Sequence, residues 1–492
     1  MTRSDPLVVQ SLVQPPKGRA ARSLAQLHIL LPKQGLGGTV WRLAWKCAER
    51  LASMEKCFEP CRAILPTIRH KSTAGIQCRV GKLLRGQNDP TSRHAEYISR
   101  HITFDILRHW FTLTFSMSLD PKPSSSSRGL EGVIALETAI CDIDGQKGEL
   151  IYRGYDIDDL ARHCSFEEVA WLLWNTTLPE PDELLRLDRM LQSERVLPPM
   201  ILDVMSMTPE DADPMAVLRT GVSAMAHFDT QADDASAEAN YRKAVRLTAR
   251  MPMLIAAFNR LRNGHQPLTP LKGASTAANF LYQLDGKEPG EAAVRIFDAC
   301  LVLHAEHGLN ASTFAARVIG ATLSDVYSAI SGAIGALKGS LHGGANLRVM
   351  QMLAEIDRSG MDPRSWVLDR LQQKERIMGF GHRVYKTLDP RAAILREMSG
   401  KLAEERGEKK WFDMSLTLMD VMETEKGLYP NVDFFSASVY GTLGIPMDLF
   451  TPIFAMSRVT GWTAHLMEQW SDNRLIRPRA AYSGPRSLST GR

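Results

Sequence analysis

Ser165-Phe-Glu-Glu-Val-Ala-Trp-Leu-Leu-Trp174 holds both the start of a helix and its buried face. A Ser followed three residues later by Glu is a capping box. The hydroxyl accepts from the backbone N–H three residues on, and the carboxylate reaches back to the N–H of the serine. Behind it, Val169, Leu172, Leu173 and Trp174 fall on one face. The same i, i+3, i+4 apolar rhythm returns over residues 239–261 and 291–303. Strand patterns are few: residues 133–143 and Tyr152-Arg-Gly-Tyr-Asp156 read as short strands and turns. The expected fold is therefore all-α, a body of many packed helices. There is no internal repeat, and the low-complexity run is Ser124–Ser127.

With 492 residues, 44% hydrophobic and 23% charged, the chain has the composition of a globular protein of two or three domains. A disordered, collagen-like or disulfide-scaffold chain is excluded. No run of 18 apolar residues occurs; the most apolar stretch, 102–117, is broken by Asp105, Arg108 and His109. Seven cysteines without a CxxC pair fit a reducing compartment, and a cytoplasmic location is expected.

Charge divides the chain. Residues 1–116 carry eighteen Lys/Arg against seven Asp/Glu, a net of +11, whereas residues 117–492 carry a net of −7. The basic segment has weak periodicity and holds Cys47, Cys57, Cys61 and Cys78; the Cys57/Cys61 pair lacks the further ligands of a zinc finger. Three readings stand for it: a segment upstream of a true start at Met117, a targeting segment, or a nucleic-acid arm. The first is adopted here. Residues 117–127 then form a polar lead-in to the folded body.

Polar groups that a core does not explain gather between residues 304 and 477. His304-Ala-Glu-His307 is expected within a helix, its imidazoles three apart on one face. The pair invites a metal-dependent hydrolase reading, but a metal site needs further ligands, and the structural reading is preferred. Leu341-His-Gly-Gly-Ala-Asn346 ends an apolar, Gly-rich helix, and its glycines let backbone approach a ligand closely. Gly379-Phe-Gly-His-Arg-Val-Tyr-Lys386, followed by Asp389-Pro-Arg391, is a second Gly/His/Arg loop without GxGxxG spacing. Asn431-Val-Asp-Phe434 sets a carboxylate among apolar neighbours; it reads either as a cap or as a desolvated base. Ser457-Arg458 and Arg474-Leu-Ile-Arg-Pro-Arg479 add guanidinium groups suited to carboxylates. Taken together, the inventory points to acid–base chemistry on a polyanionic carboxylate substrate.

These motifs, with Gly129-Leu-Glu-Gly132 ahead of them, resemble the citrate synthase family over residues 128–485, most closely its short bacterial type. The resemblance implies an all-α two-domain fold: a large domain over 128–338 and 447–485, a small domain over 339–446, a cleft active site, and a tail over 486–492. It implies condensation of acetyl-CoA with oxaloacetate and hydrolysis of citryl-CoA. Asp433 then matches the general base, His342 the enol stabiliser and His382 the acid on the oxaloacetate carbonyl. His307, Arg391, Arg458 and Arg477 match oxaloacetate ligands, with Arg477 serving the neighbouring subunit of a homodimer; hexamers also occur in the family. Ile377, Met378, Gly379, Gly381, Lys386 and Asn431 match CoA contacts. No metal, tightly bound cofactor, nucleic acid or membrane is implied. The neighbouring reading is 2-methylcitrate synthase, which uses propionyl-CoA on the same framework. Departures from the family pattern stand at Asp213, Gly308, Ser340 and Leu347, none of them assigned a catalytic role.

Overall fold

The computed structural model describes residues 128–130 and 132–491. The basic segment 1–116 and the lead-in 117–127 lie outside the described residues, and with them the readings of Met117, targeting, nucleic-acid binding and the Cys57/Cys61 pair.

Three short antiparallel strands open the body: β1 (Cys141–Asp144), β2 (Glu149–Tyr152) and β3 (Tyr155–Asp156), in that order. Cys141 pairs Tyr152, and Asp144 pairs Glu149. Pairing starts at Cys141, so residues 133–138, expected to join the strands, run without regular structure. Sixteen helices follow. The first ten are α1 (Ile157–His163), α2 (Phe166–Asn175), α3 (Pro181–Glu194), α4 (Pro199–Ser206), α5 (Pro214–Met225), α6 (Ala237–Arg262), α7 (Thr276–Asp285), α8 (Glu291–His304), α9 (Ala311–Gly320) and α10 (Val326–Lys338). The last six are α11 (Ala345–Ser359), α12 (Pro363–Gln372), α13 (Pro390–Arg406), α14 (Lys410–Lys426), α15 (Val432–Thr442) and α16 (Phe450–Ser471).

Helix α2 starts as its sequence dictates. The Glu168 N–H donates to Ser165 Oγ at 3.3 Å, and the Ser165 N–H donates to Glu168 Oε2 at 2.7 Å. Its apolar face is buried, and Trp174 Nε1 donates to Thr460 O and Thr463 Oγ1 on α16. Helix α16 is the axis of the body. It is buried continuously from Phe450 to Leu466 and packs against α2, α5, α6, α8, α9, α10 and α11. A helix enclosed on every side must satisfy its polar side chains internally. Thr463 does so by bonding back to Val459 O, and Ser457 bonds across to Leu301 O. Helices α11–α15 pack largely on one another. They meet the rest of the body where α13 touches α1 and α8, and where α11 touches α16.

The structure corrects a second expectation. His304 and His307 do not share a helix face, because α8 ends at His304. Gly308 takes a left-handed φ of 60°, and Asn310 caps α9 by accepting from the Ser312 and Thr313 N–H groups at 3.1 Å. The chain thus passes from one helix to the next within six residues, and the histidines part.

Glu306, inside that connection, is fully buried. Its Oε1 lies 3.2 Å from His465 Nε2, and its backbone N–H and O both bond Tyr152 Oη. Gly461 of α16 passes directly over it: a Cβ there would overlap Glu306 Oε2 and the carbonyl oxygen of Ala305. Gly461→Ala should therefore cost about 1–3 kcal/mol or more. Urea denaturation measures this, and an unchanged midpoint would contradict the packing.

Candidate active site

Three loops converge beside α16, each placed by a helix end. The connection after α8 delivers His307, the turn between α10 and α11 delivers His342, and residues 379–391 deliver His382 and Arg391. The His307 and His382 rings stand edge to face with centroids 5.3 Å apart; Tyr385 lies 5.7 Å from the first and 4.8 Å from the second. The Arg391 guanidinium sits 6.0 Å from the Tyr385 ring.

Each imidazole has one nitrogen engaged by the protein. His342 Nε2 accepts from the Ser312 N–H at 3.2 Å and lies 2.8 Å from Ser312 Oγ. An N–H aimed at Nε2 requires that nitrogen to be unprotonated, so in the neutral ring the proton sits on Nδ1. His382 is the reverse case. Its Nδ1 accepts from the N–H groups of Val384 and Tyr385, both at 3.1 Å, so Nε2 carries the proton. Burial, then the Arg458 charge, pushes the His342 pKa down to about 4. Burial, then Arg391, takes His382 down to about 4. Burial with Arg391 and Arg458 holds His307 well below the ordinary range. All three rings are neutral near pH 7.

Asp433 is the opposite kind of group. Asn431 caps α15 by accepting from the Asp433 N–H at 3.1 Å, which fixes Asp433 in the first turn. No hydrogen bond from the described residues supports its carboxylate, and burial raises its pKa to about 6 against the lowering pull of Arg391, Arg458 and Arg348. The cap of this motif is therefore Asn431, two residues before Asp433, and the Asp433 carboxylate is the desolvated group.

Both arginines are buried. Arg391 forms a two-pronged bond to Asp389, Nε to Oδ1 at 3.0 Å and Nη2 to Oδ2 at 2.8 Å. Arg458 Nε donates to His304 O at 2.6 Å, while its Nη2 has no partner among the described residues. A buried guanidinium N–H favours an anionic acceptor. Arg477 lies apart from these groups, exposed in the segment after α16.

Residues 377–381 form a seam with 429–431. The Asn431 N–H donates to Gly379 O at 2.9 Å, and the Gly381 N–H donates to Tyr429 O at 2.9 Å. Asn431 Nδ2 donates to Gly381 O at 3.1 Å, so both ends of its amide are used within the protein. Gly379 has a φ of 84°, and a Cβ would press on Phe434 and Val349 at 2.7 Å. Ile377 is buried, Met378 is half-buried, and Lys386 is exposed with Nζ donating to Arg383 O at 3.2 Å.

His304 is buried in the last turn of α8. Its Nδ1 bonds Cys300 O at 2.7 Å, and its ring stands edge-on to Phe454. Among the described residues no group of three His, Cys, Asp or Glu is placed to hold a metal ion, so the hydrolase reading on His304/His307 finds no ligand set. Sequence reading passed over Ser312, Tyr385 and Asp389. Asp389-Pro390 had a signal, an acidic N-cap followed by Pro at the first helical position of α13; the other two had none beyond lying in or near a quoted motif.

Comparison with known proteins gives a consistent result. The family described as citrate synthase, C-terminal domain, matches residues 129–479. A citrate synthase of Haloferax volcanii is 53% identical over 365 residues, covering 73% of this chain and 96% of its own. A citrate/2-methylcitrate synthase of Bacillus subtilis is 46% identical over 361 residues, covering 73% and 97%. The crystal structure of citrate synthase from Pyrobaculum aerophilum aligns with a TM-score of 0.69 at 40% identity, covering 74% of this chain and 93% of that one.

Because the folded pKa of His342 and His382 lies below the unfolded value of 6.5, protonation favours the unfolded chain. Stability from these rings is intact above about pH 6.5 and falls progressively toward pH 4. In an NMR titration of histidine-labelled protein both rings should stay neutral at pH 6; a midpoint above 6 for either contradicts the electrostatics described.

Proposed function

The chain belongs to the citrate synthase family, and from that premise we propose how its residues divide the reaction. The enzyme is a transferase that condenses acetyl-CoA with oxaloacetate to give citrate and CoA. The observation that carries the division of roles is the pairing of one desolvated, unsupported carboxylate with two neutral imidazoles of fixed tautomer.

Asp433 is the base that takes a methyl proton from the acetyl group. A carboxylate with a pKa of about 6 is a stronger base than one in water, yet it remains largely ionised at pH 7. His342 donates Nδ1–H to the thioester oxygen as negative charge develops there. A donor aimed in advance at that oxygen stabilises the enolate without reorganisation. His382 donates Nε2–H to the oxaloacetate carbonyl oxygen while the enol carbon attacks, and that proton completes the citrate hydroxyl. Water then cleaves the thioester. Charge is managed by side chains at each step, and no metal is called for.

Oxaloacetate is held by His307, Arg391 and the unpartnered Nη2 of Arg458. Arg477 completes the set from a second subunit: its exposed position beyond α16 leaves it free of its own chain's site, which supports a homodimer. CoA runs along Ile377, Met378, Gly379 and Gly381 toward Lys386, with Asn431 holding that seam in shape rather than by an unused amide. Residues 339–446 act as the small domain that closes on 128–338 and 447–485, a division supported by the mutual packing of α11–α15. Closure excludes water from the enolate. No described helix is long and apolar enough to cross a membrane; a cytoplasmic setting is proposed from the bacterial and archaeal relatives.

The test is CoA release by the full chain with oxaloacetate and either acetyl-CoA or propionyl-CoA. Faster turnover with acetyl-CoA is expected, whereas a preference for propionyl-CoA would favour the 2-methylcitrate reading. Asp433→Asn should lower kcat by about a thousandfold with the dimer intact in sedimentation. In the unaltered enzyme kcat/KM should fall on the acid side with a midpoint near 6, the pKa of about 6 assigned to Asp433. Arg477→Ala should raise the oxaloacetate KM about tenfold or more. Unchanged kinetics in Asp433→Asn would remove the base assignment, and in Arg477→Ala the shared site.

A further inference from the structure

Tyr385 is 3% exposed, and its side chain has no role in the reaction as described so far. Its hydroxyl lies 3.3 Å from His307 Nε2, and its backbone N–H donates to His382 Nδ1 at 3.1 Å. No other side chain among the described residues hydrogen-bonds the His307 ring, whose Nδ1 is left without a protein partner.

The substrate decides the direction of the Tyr385–His307 bond. Oxaloacetate at neutral pH offers oxygen acceptors and no donor. A neutral imidazole binds such a ligand only through its one N–H. Nδ1 is the nitrogen free to meet the ligand, so it must carry the proton, and Nε2 must be the acceptor. The phenol therefore donates. Burial raises the Tyr385 pKa well above its usual value, so the hydroxyl keeps the proton it donates. Without that donor the two tautomers of His307 compete, and one of them turns a lone pair toward a carboxylate.

We propose that Tyr385 is a positioning residue that sets the tautomers of two substrate-facing imidazoles, His307 through its hydroxyl and His382 through its backbone N–H. The inference rests on the reading of His307 as an oxaloacetate ligand. The hydroxyl half can be removed with one atom, because Tyr385→Phe keeps the ring packed against His382 and Arg391.

The experiment is steady-state kinetics on the full chain for Tyr385→Phe, His307→Asn and the double variant. Tyr385→Phe should raise the oxaloacetate KM about fivefold, with kcat, the acetyl-CoA KM and the melting temperature nearly unchanged. His307→Asn should raise the oxaloacetate KM more, and adding Tyr385→Phe to it should have no further effect. A full additional rise in the double variant, or an unchanged oxaloacetate KM in Tyr385→Phe beside an impaired His307→Asn, overturns the tautomer role. An unimpaired His307→Asn overturns the ligand reading beneath it, and the proposal falls with that reading. A parallel loss of kcat and melting temperature in Tyr385→Phe would mark the hydroxyl as structural and also overturn the proposal.

Discussion

The site depends on one buried carboxylate that does no chemistry. Asp389 Oδ1 accepts from the backbone N–H and Nε of Arg391, and Oδ2 accepts from Arg391 Nη2 and from the Val432 N–H. Four donors on two acceptor atoms tie together the start of α13, the Arg391 guanidinium and the start of α15, one residue before Asp433. A buried ion pair is weak evidence of stability, because desolvation offsets most of the attraction. Its value here is in register: it fixes where the guanidinium proposed to hold oxaloacetate stands relative to the carboxylate proposed as the base. Removing either partner leaves the other charged and buried, which is why this pair tolerates neither loss alone.

Much of the fold could be read from local sequence because the signals were local. The Ser165–Glu168 box spans four residues and appears as expected. Asp389-Pro390 and Asn431 are N-cap patterns of the same reach. The HxxH reading failed for a related reason: spacing alone gave a common helix face, but Gly308 and the Asn310 cap terminate one helix and start another, and that stop signal outweighs the spacing. The groups that set the imidazoles were not legible. Ser312 is 30 residues from His342, and Tyr385 is 78 residues from His307. Nothing in a neighbouring residue announces a partner at that distance. The roles of Asp433, His342 and His382 came from several motifs in family order, since each motif singly had an adequate structural explanation.

Burial and positive charge act together on the titratable groups, and their signs explain the order of events. Arg391 and Arg458 are both buried, and their field adds to desolvation in keeping His307 neutral. A neutral imidazole is a useful donor here because it gains strength only as the acceptor becomes anionic, so it favours the transition state over the ground state. The same field lowers the pKa of Asp433 against the upward push of burial. Oxaloacetate bound as proposed would bring two negative charges to the arginines and cancel part of that field. Asp433 would then become more basic, and the imidazole protons would be held more firmly until charge develops on the oxygens they face. Base strength would therefore rise only once the partner for the enolate is in place. An enzyme that enolised its thioester first would lose the intermediate to reprotonation, and on the proposed assignment the field of the arginines holds the base down until that charge is cancelled.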